Sequence, residues 1–317
     1  MNFSFFDNGR VADAPSGNWV YRALPRGLWP YAQLARWDRP IGWQLLMWPC
    51  FWSATLAAGA AASAGQFSLS RLTWHLFLFF AGAVAMRGAG CTYNDLVDHE
   101  IDMAVARTRS RPLPSGRVTR LQAKVFMVLQ TVVGLLVLLS FNGFSIVLGV
   151  LSLAIVAIYP FAKRFTDWPQ FFLGLAFSWG ALMGWAAEFG SLSVAAVALY
   201  VGSIAWTIGY DTIYAHLDKE DDALIGVRST ALYFGRNTRI WLTLFYGITL
   251  LAFAVALILA GAAWPAWLGL LAALVLLGYQ IIVLDIHDPA QCLALFKFNH
   301  TVGAIFFAGL LLAVAVA

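Results

Sequence analysis

Residues 73–102 read TWHLFLFFAGAVAMRGAGCTYNDLVDHEID. The first part of this stretch is apolar for roughly 20 residues, enough at about 1.5 Å rise per residue to cross the hydrocarbon core of a bilayer. Its end turns acidic, with Asn94, Asp98 and Asp102 at i, i+4 and i+8. If the helix continues through them, all three lie along one face. The rest of the chain has the same character. It is 61% hydrophobic and only 11% charged, with a mean hydropathy of +0.75. A soluble domain carries roughly 25% charged residues, so the charges here cannot cover a water-soluble globule of 317 residues. Lipid must be the solvent for most of the surface. The 14 Trp and 10 Tyr fit interfacial aromatic belts.

Nine apolar stretches are long enough to span: about 41–62, 73–93, 121–141, 144–160, 171–188, 191–209, 240–260, 264–284 and 298–316. The connections alternate. Those after the odd-numbered spans are short and nearly uncharged, whereas those after the even-numbered spans, together with the N-terminus, are long and charged. Of the 20 Lys and Arg, all but Arg71 and Arg87 fall on that second side. The positive-inside rule then places the N-terminus and the long loops on the cytoplasmic side or its mitochondrial equivalent, and the C-terminus on the other. The expected fold is therefore all-α and polytopic. Residues 1–35 are expected to form a cytoplasmic N-terminal segment, and residues 36–317 a single nine-helix transmembrane domain.

Two charged loops look alike. Gly116-Arg117-Val118-Thr119-Arg120 corresponds to Gly235-Arg236-Asn237-Thr238-Arg239, and Arg109 to Arg228. Asp98 and Asp102 correspond to Asp218 and Asp222. A shift of this length passes four spans, so both loops face one side. Such a repeat is parallel, two groups of four helices plus a final helix. It is expected to set two acid-rich loops facing each other across one central cavity.

Asp218 and Asp222 repeat the i, i+4 spacing, with Asp221 nearby. Like charges at that spacing repel, so a helix gains nothing from them alone. A divalent cation reverses the balance, and Mg²⁺ typically takes one or two carboxylates plus the phosphates of a substrate. Arg107, Arg109 and Arg111 follow the first motif, while Lys219 and Arg228 lie in and after the second. Carboxylate-bound Mg²⁺ beside arginine suits a diphosphate. Arg117, Arg120, Arg236 and Arg239 read as ordinary solvated loop charges. Arg87, inside the second span, costs about 2.5–3.5 kcal/mol on insertion scales and should face a polar cavity or a carboxylate. Cys50, Cys91 and Cys292 lie far apart, so neither a disulfide framework nor a zinc site is expected.

These residues resemble the UbiA superfamily of intramembrane prenyltransferases. Asn94-Asp95-x2-Asp98-x3-Asp102 is similar to its first Asp-rich motif and Asp218-x3-Asp222 to its second. Four further stretches carry the resemblance: Arg36-x-Asp38-Arg39-Pro40-Ile41-Gly42, Arg107-Thr108-x2-Arg111-Pro112, Tyr159-Pro160-x2-Lys163-Arg164 and Tyr210-Asp211-Thr212-x-Tyr214-Ala215. They look like the 4-hydroxybenzoate polyprenyltransferase branch, which acts in ubiquinone biosynthesis. Where the family often has Lys, Arg39 keeps the charge.

The resemblance implies nine helices around a central cavity and substrates that are a polyprenyl diphosphate and 4-hydroxybenzoate. It implies one Mg²⁺ held by Asn94, Asp98 and Asp102, and a second by Asp218 and Asp222. Arg107, Arg111 and Lys163 would bind the phosphates and Arg164 the benzoate carboxylate, with Arg39 a further substrate-binding residue. Asp211 would orient or deprotonate the phenol. Other acceptors (naphthoate, homogentisate, haem or a lipid glycerol) remain open within the family. A secondary transporter is the rival from another class, with Arg87 and Glu188 as its intramembrane ionisable groups. No nucleic-acid partner is expected. The first 35 residues, with Asp7, Asp13, Pro15, Pro25 and Pro30, look like neither a signal peptide nor an Arg-rich transit peptide. That tilts the expected location to a bacterial inner membrane, with the active site on the cytoplasmic side.

Overall fold

The computed structural model describes residues 9–15, 17–105, 108–226 and 228–317, apart from the side chains of Asp221, Asp222 and Ile225. These residues form helices and turns, with no strand among those described. Two short helices, Trp19–Ala23 (α1) and Trp29–Leu34 (α2), lead into Ile41–Ser63 (α3) and Leu69–Val97 (α4). His99–Ala104 (α5), Arg120–Leu139 (α6) and Gly143–Phe165 (α7) follow, then Pro169–Ser178 (α8), Gly180–Phe189 (α9) and Val194–Ala215 (α10). Lys219–Ile225 (α11), Thr230–Phe234 (α12), Thr238–Leu259 (α13), Trp264–Val283 (α14) and Pro289–Val316 (α15) complete the chain.

Among the described residues nine helical segments are long and apolar enough to cross a membrane: α3, α4, α6, α7, α8 with α9, α10, α12 with α13, α14 and α15. Each coincides with one expected span. The helices run past the apolar windows mainly toward the charged loops: α4 continues to Val97, α10 to Ala215, and α15 already begins at Pro289. Apolarity marks only the part of a helix that lies in lipid, whereas backbone hydrogen bonding carries the helix further. Asn142, Ser193 and Asp288 cap α7, α10 and α15 by accepting from backbone N–H groups of the first turn. Leucine, isoleucine and valine side chains stay exposed along α6, α7, α13 and α14, among them Leu136, Val147, Leu251 and Ile282. In water such faces would aggregate; in a bilayer they are solvated. The protein is a multi-pass, all-helical membrane protein.

The chain divides into two compact units, Met1–Gln44 with Ala81–Leu138 and Leu45–Phe80 with Leu139–Ala317. In the first, Leu34, Leu96, Leu113, Val118 and Ala123 pack with Tyr31, Phe126 and Met127. This cluster anchors the loop of residues 108–119 to α2, α4 and α6. The loop is tightly wound: the Arg111 N–H donates to the Thr108 carbonyl at 2.8 Å and the Val118 N–H to the Pro112 carbonyl at 3.1 Å. Gly42 leaves room for the Arg87 side chain, because a Cβ there would lie 2.6 Å from Arg87 Nε.

In the second unit Trp52 packs against Trp206, Phe253 and Phe306. A fully buried polar group crosses the helices beside them. Asn299 accepts from Trp206 Nε1 at 2.8 Å and donates to Gln280 Oε1 at 3.0 Å, and that oxygen also accepts from Tyr246 at 3.2 Å. Such a satisfied network ties α10, α13, α14 and α15 where unpaired polar atoms would be expensive. Glu188 pairs with Arg71 at 2.7 Å. It therefore sits in an ion pair between the end of α9 and the start of α4, which does not favour the transporter reading.

Candidate active site

The first acidic motif straddles a break in the helix. Asn94 and Asp95 lie in the last turn of α4, Asp98 lies between α4 and α5, and Asp102 is in α5. Asp98 has φ −95° and ψ 13°, outside the helical basin. The helical hydrogen bonds nonetheless persist across it, from Asp98 N–H to the Asn94 carbonyl at 2.9 Å and from Asp102 N–H to the Asp98 carbonyl at 2.8 Å. The i, i+4, i+8 register thus survives, and Asn94 Nδ2 donates to Asp98 Oδ2 at 3.0 Å. Asp95, Asp98 and Asp102 are all buried.

Two arginines reach these carboxylates. Arg111 Nη1 donates to both oxygens of Asp102, at 3.1 and 3.0 Å, and lies 3.4 Å from Asp95 Oδ1. Arg36 Nη2 donates to the same Asp95 oxygen at 2.6 Å. Arg36 has φ 59°, the one positive φ among described residues other than glycine. That conformation is unfavourable for a long side chain. It is held by the Trp37 N–H, which donates to the Ala32 carbonyl at 2.9 Å, and by Arg36 Nη1 on the Gln33 carbonyl at 2.7 Å. Arg39 pairs with Asp38 at 3.2 Å and with Asp13 at 2.7 Å, and Asp13 also takes Arg111 Nε at 2.9 Å. Burial alone would raise the Asp13 pKa, but Arg39 and Arg111 outweigh it and hold the carboxyl well below the usual range. For Asp102 the balance is opposite: burial raises its pKa despite Arg111.

Asp13, Arg36, Asp38 and Asp95 were not among the expected site residues. Three of them stand inside the motif stretches quoted above, so the signal was present. Asp13 is 98 residues from Arg111, and no local pattern joins the two.

The second motif has the same local plan. Asp211 is in α10, Asp218 lies between α10 and α11, and Asp222 is in α11. The side chain of Asp222 lies outside the described residues, as does Arg107. Tyr210 and Thr212, on either side of Asp211, are buried, and Asp211 is half-buried. Thr212 shares a hydrogen bond of 2.7 Å with Thr230, whose N–H donates to Gln170 at 3.1 Å. His216 meets Thr238 at 3.0 Å. These contacts fix the end of α10 against α8, α12 and α13. Burial, with Lys219 and His287 nearby, lowers the His216 pKa to about 4. Lys163 is half-buried at the end of α7, and its carbonyl accepts from the Arg228 N–H at 3.3 Å. Arg164 is exposed, its guanidinium 5.4 Å from the centre of the Phe161 ring.

The donor set around the first motif fits Mg²⁺. It offers oxygen ligands in the carboxylates of Asp13, Asp38, Asp95, Asp98 and Asp102, beside the guanidinium groups of Arg36, Arg39 and Arg111. Asp95 Oδ2 is a buried acceptor with no hydrogen-bond donor. No three His, Cys, Asp or Glu converge as a cage among the described residues. Mg²⁺ needs no such cage, because it keeps waters and substrate phosphates in its shell.

Nine candidate spans among the described residues, with acidic motifs at helix ends and arginines against the first, define an all-helical integral membrane protein with a charged site at the ends of its spans. Residues 46–316 match the model of the UbiA prenyltransferase family. The chain belongs to that family. It is 48% identical over 284 residues to the mitochondrial 4-hydroxybenzoate polyprenyltransferase of Aedes aegypti, covering 89% of this chain and 63% of that protein. It is 47% identical to the mitochondrial enzyme of the same name from Arabidopsis thaliana, over 93% of this chain and 71% of that one. The Bos taurus enzyme is 45% identical over 92% and 77%. The fold resembles a UbiA homologue from Aeropyrum pernix, with TM-score 0.69, 22% identity and coverage of 85% and 97%. It also resembles an Archaeoglobus fulgidus homologue bound to GPP and Mg²⁺, with TM-score 0.60, 18% identity and coverage of 90% and 99%.

These relatives overturn the expected bacterial inner membrane, since they are mitochondrial enzymes of an insect, a plant and a mammal. The expectation rests on residues 1–35 looking unlike a transit peptide, and the composition of that segment does not identify the bilayer that houses the chain.

Proposed function

We propose that the chain transfers a polyprenyl group from polyprenyl diphosphate to the ring carbon ortho to the hydroxyl of 4-hydroxybenzoate, in ubiquinone biosynthesis and with Mg²⁺. The observation that carries this is the buried carboxylate–arginine cluster at the end of α4, joined to the similarity to enzymes of that name. Residues 36–317 would act as one catalytic domain.

Asn94, Asp98 and Asp102 would hold one Mg²⁺, and Asp218 with Asp222 a second. Bound Mg²⁺ would stabilise negative charge as the diphosphate leaves. Arg39, Arg107, Arg111 and Lys163 donate hydrogen bonds to phosphate oxygens, and charge-assisted bonds of this kind strengthen as the leaving oxygen gains charge. Heterolysis of the allylic C–O bond leaves a delocalised cation. The ring carbon beside the phenol attacks it, and loss of the ring proton restores aromaticity. Asp211 orients the phenol or takes its proton, and Arg164 pairs with the benzoate carboxylate. Water would quench the cation, so a site at the lipid boundary is suited to the step. The prenyl tail stays in lipid, avoiding about 0.8 kcal/mol of exposure per CH₂ group.

The test is incubation of the purified protein with 4-hydroxybenzoate, a panel of prenyl diphosphates and Mg²⁺, with products read by mass spectrometry. The expected product carries one prenyl chain bonded to the ring carbon. Prenylation of naphthoate or homogentisate in preference to hydroxybenzoate would refute the acceptor.

A further inference from the structure

The geometry points to a strap. Residues 9–15 place the Asp13 carboxylate on Arg39 and Arg111, the positions that a diphosphate takes, so the substrate must displace this segment to bind. The inference rests on the proposed assignment of Arg39 and Arg111 to the diphosphate.

Asp13 is far from both arginines in sequence, yet its side chain is fully buried between them. Its Oδ2 lies 2.7 Å from Arg39 Nη1 and 2.9 Å from Arg111 Nε. Arg39 Nη1 also donates to the Asp13 backbone carbonyl at 2.9 Å. Arg111 is thereby divided. Its Nη1 edge faces the carboxylates of Asp102 and Asp95, while its Nε edge is taken by Asp13. A carboxylate oxygen shared by two guanidinium groups reproduces the charge and hydrogen bonds of a phosphate oxygen. With Asp13 in place, its carboxylate fills the guanidinium edges of Arg39 and Arg111. With Asp13 withdrawn, two guanidinium edges open to an anion.

The segment is held in a way that permits withdrawal. Ala12 N–H donates to Ser110 Oγ at 2.9 Å, and the Gly9 carbonyl accepts from Arg117 at 2.6 Å and from Gln33 at 2.8 Å. Val11 is its one buried apolar side chain. Its tethers are therefore chiefly polar, and water or phosphate can replace them at little loss of apolar burial.

The experiment uses the full chain in lipid nanodiscs, with inorganic diphosphate plus Mg²⁺ as the probe. Asp13→Asn keeps the side-chain shape and removes its charge. It should tighten diphosphate binding about tenfold, equivalent to about 1.4 kcal/mol. In the wild-type protein, diphosphate with Mg²⁺ should accelerate tryptic cleavage of the Arg10–Val11 bond; Mg²⁺ alone should not. Equal or weaker binding by Asp13→Asn, or slower cleavage when diphosphate is present, would overturn the strap and make Asp13 part of the binding geometry or of a closing cover. Arg111→Gln separates the two levels. If it abolishes diphosphate binding while Asp13→Asn fails to tighten it, the strap falls and the phosphate site stands. If it leaves binding unchanged, both fall.

Discussion

Arg111 carries more of the site's geometry than any other single residue. Its Nη1 meets both oxygens of Asp102 and reaches Asp95, and its Nε donates to Asp13. Burial and the neighbouring Arg36 work against its charge, and the three carboxylates overcome both. Removing the guanidinium would strand buried carboxylates, a loss of about 3–5 kcal/mol in comparable buried pairs. Lysine would keep the charge but not the fork. We expect Arg111→Gln to lower the unfolding temperature in detergent and to abolish turnover. Arg111→Lys should unfold close to wild type while losing most activity. Equal activity in Arg111→Lys and wild type would show that charge alone suffices. At this scale the sequence was informative about the motif residues and blind to Asp13, because pairing across such a separation is decided by tertiary packing. The left-handed backbone of Arg36 was equally hidden, since nothing in Arg36-Trp37-Asp38 marks a turn.

At the scale of elements, function depends on how the long helices end. α4 and α10 both outlast their apolar stretches, and each yields to a short helix at an aspartate, Asp98 in one case and Asp218 in the other. The paired spacing was legible from sequence because helical periodicity persists through the break. The break itself was not, since Asp98 keeps its helical hydrogen bonds while leaving helical dihedrals. The fifth crossing shows a second limit. It reads as one apolar span but consists of α8 and α9, meeting at Trp179, whose indole donates to the Leu148 carbonyl at 3.1 Å. Beyond that junction Gly184 lies against the backbone of Ala54, where a Cβ would collide. Backbone cannot yield as a side chain does. Gly184→Ala should therefore destabilise the protein by about 1–3 kcal/mol, the usual effect of overpacking, measured as a lower melting temperature in detergent. An unchanged melting temperature would mean that α9 shifts freely against α3.

The whole molecule was the most legible level. The all-helical class and the nine candidate spans among the described residues follow from the need of lipid-exposed backbone to satisfy its own hydrogen bonds, and the alternation of loop charge from the positive-inside rule. The membrane that houses the protein was misread, because the composition of residues 1–35 does not say which bilayer receives the chain. What the molecule adds to its helices is a charged cluster in a chain otherwise poor in charge, in which buried carboxylates meet arginines and Asp95 Oδ2 has no hydrogen-bond donor. Mg²⁺ with a diphosphate would engage that cluster.

The most direct measurement is therefore prenyl transfer as a function of Mg²⁺ concentration in wild type, Asp98→Ala and Asp218→Ala, each checked for insertion and folding. Wild type should turn over only with Mg²⁺, and each variant should lose at least about 100-fold, as when a group that stabilises transition-state charge is removed. Near-normal turnover in both folded variants, or wild-type turnover that survives complete chelation of Mg²⁺, would contradict carboxylate-held metal as the grip on the diphosphate.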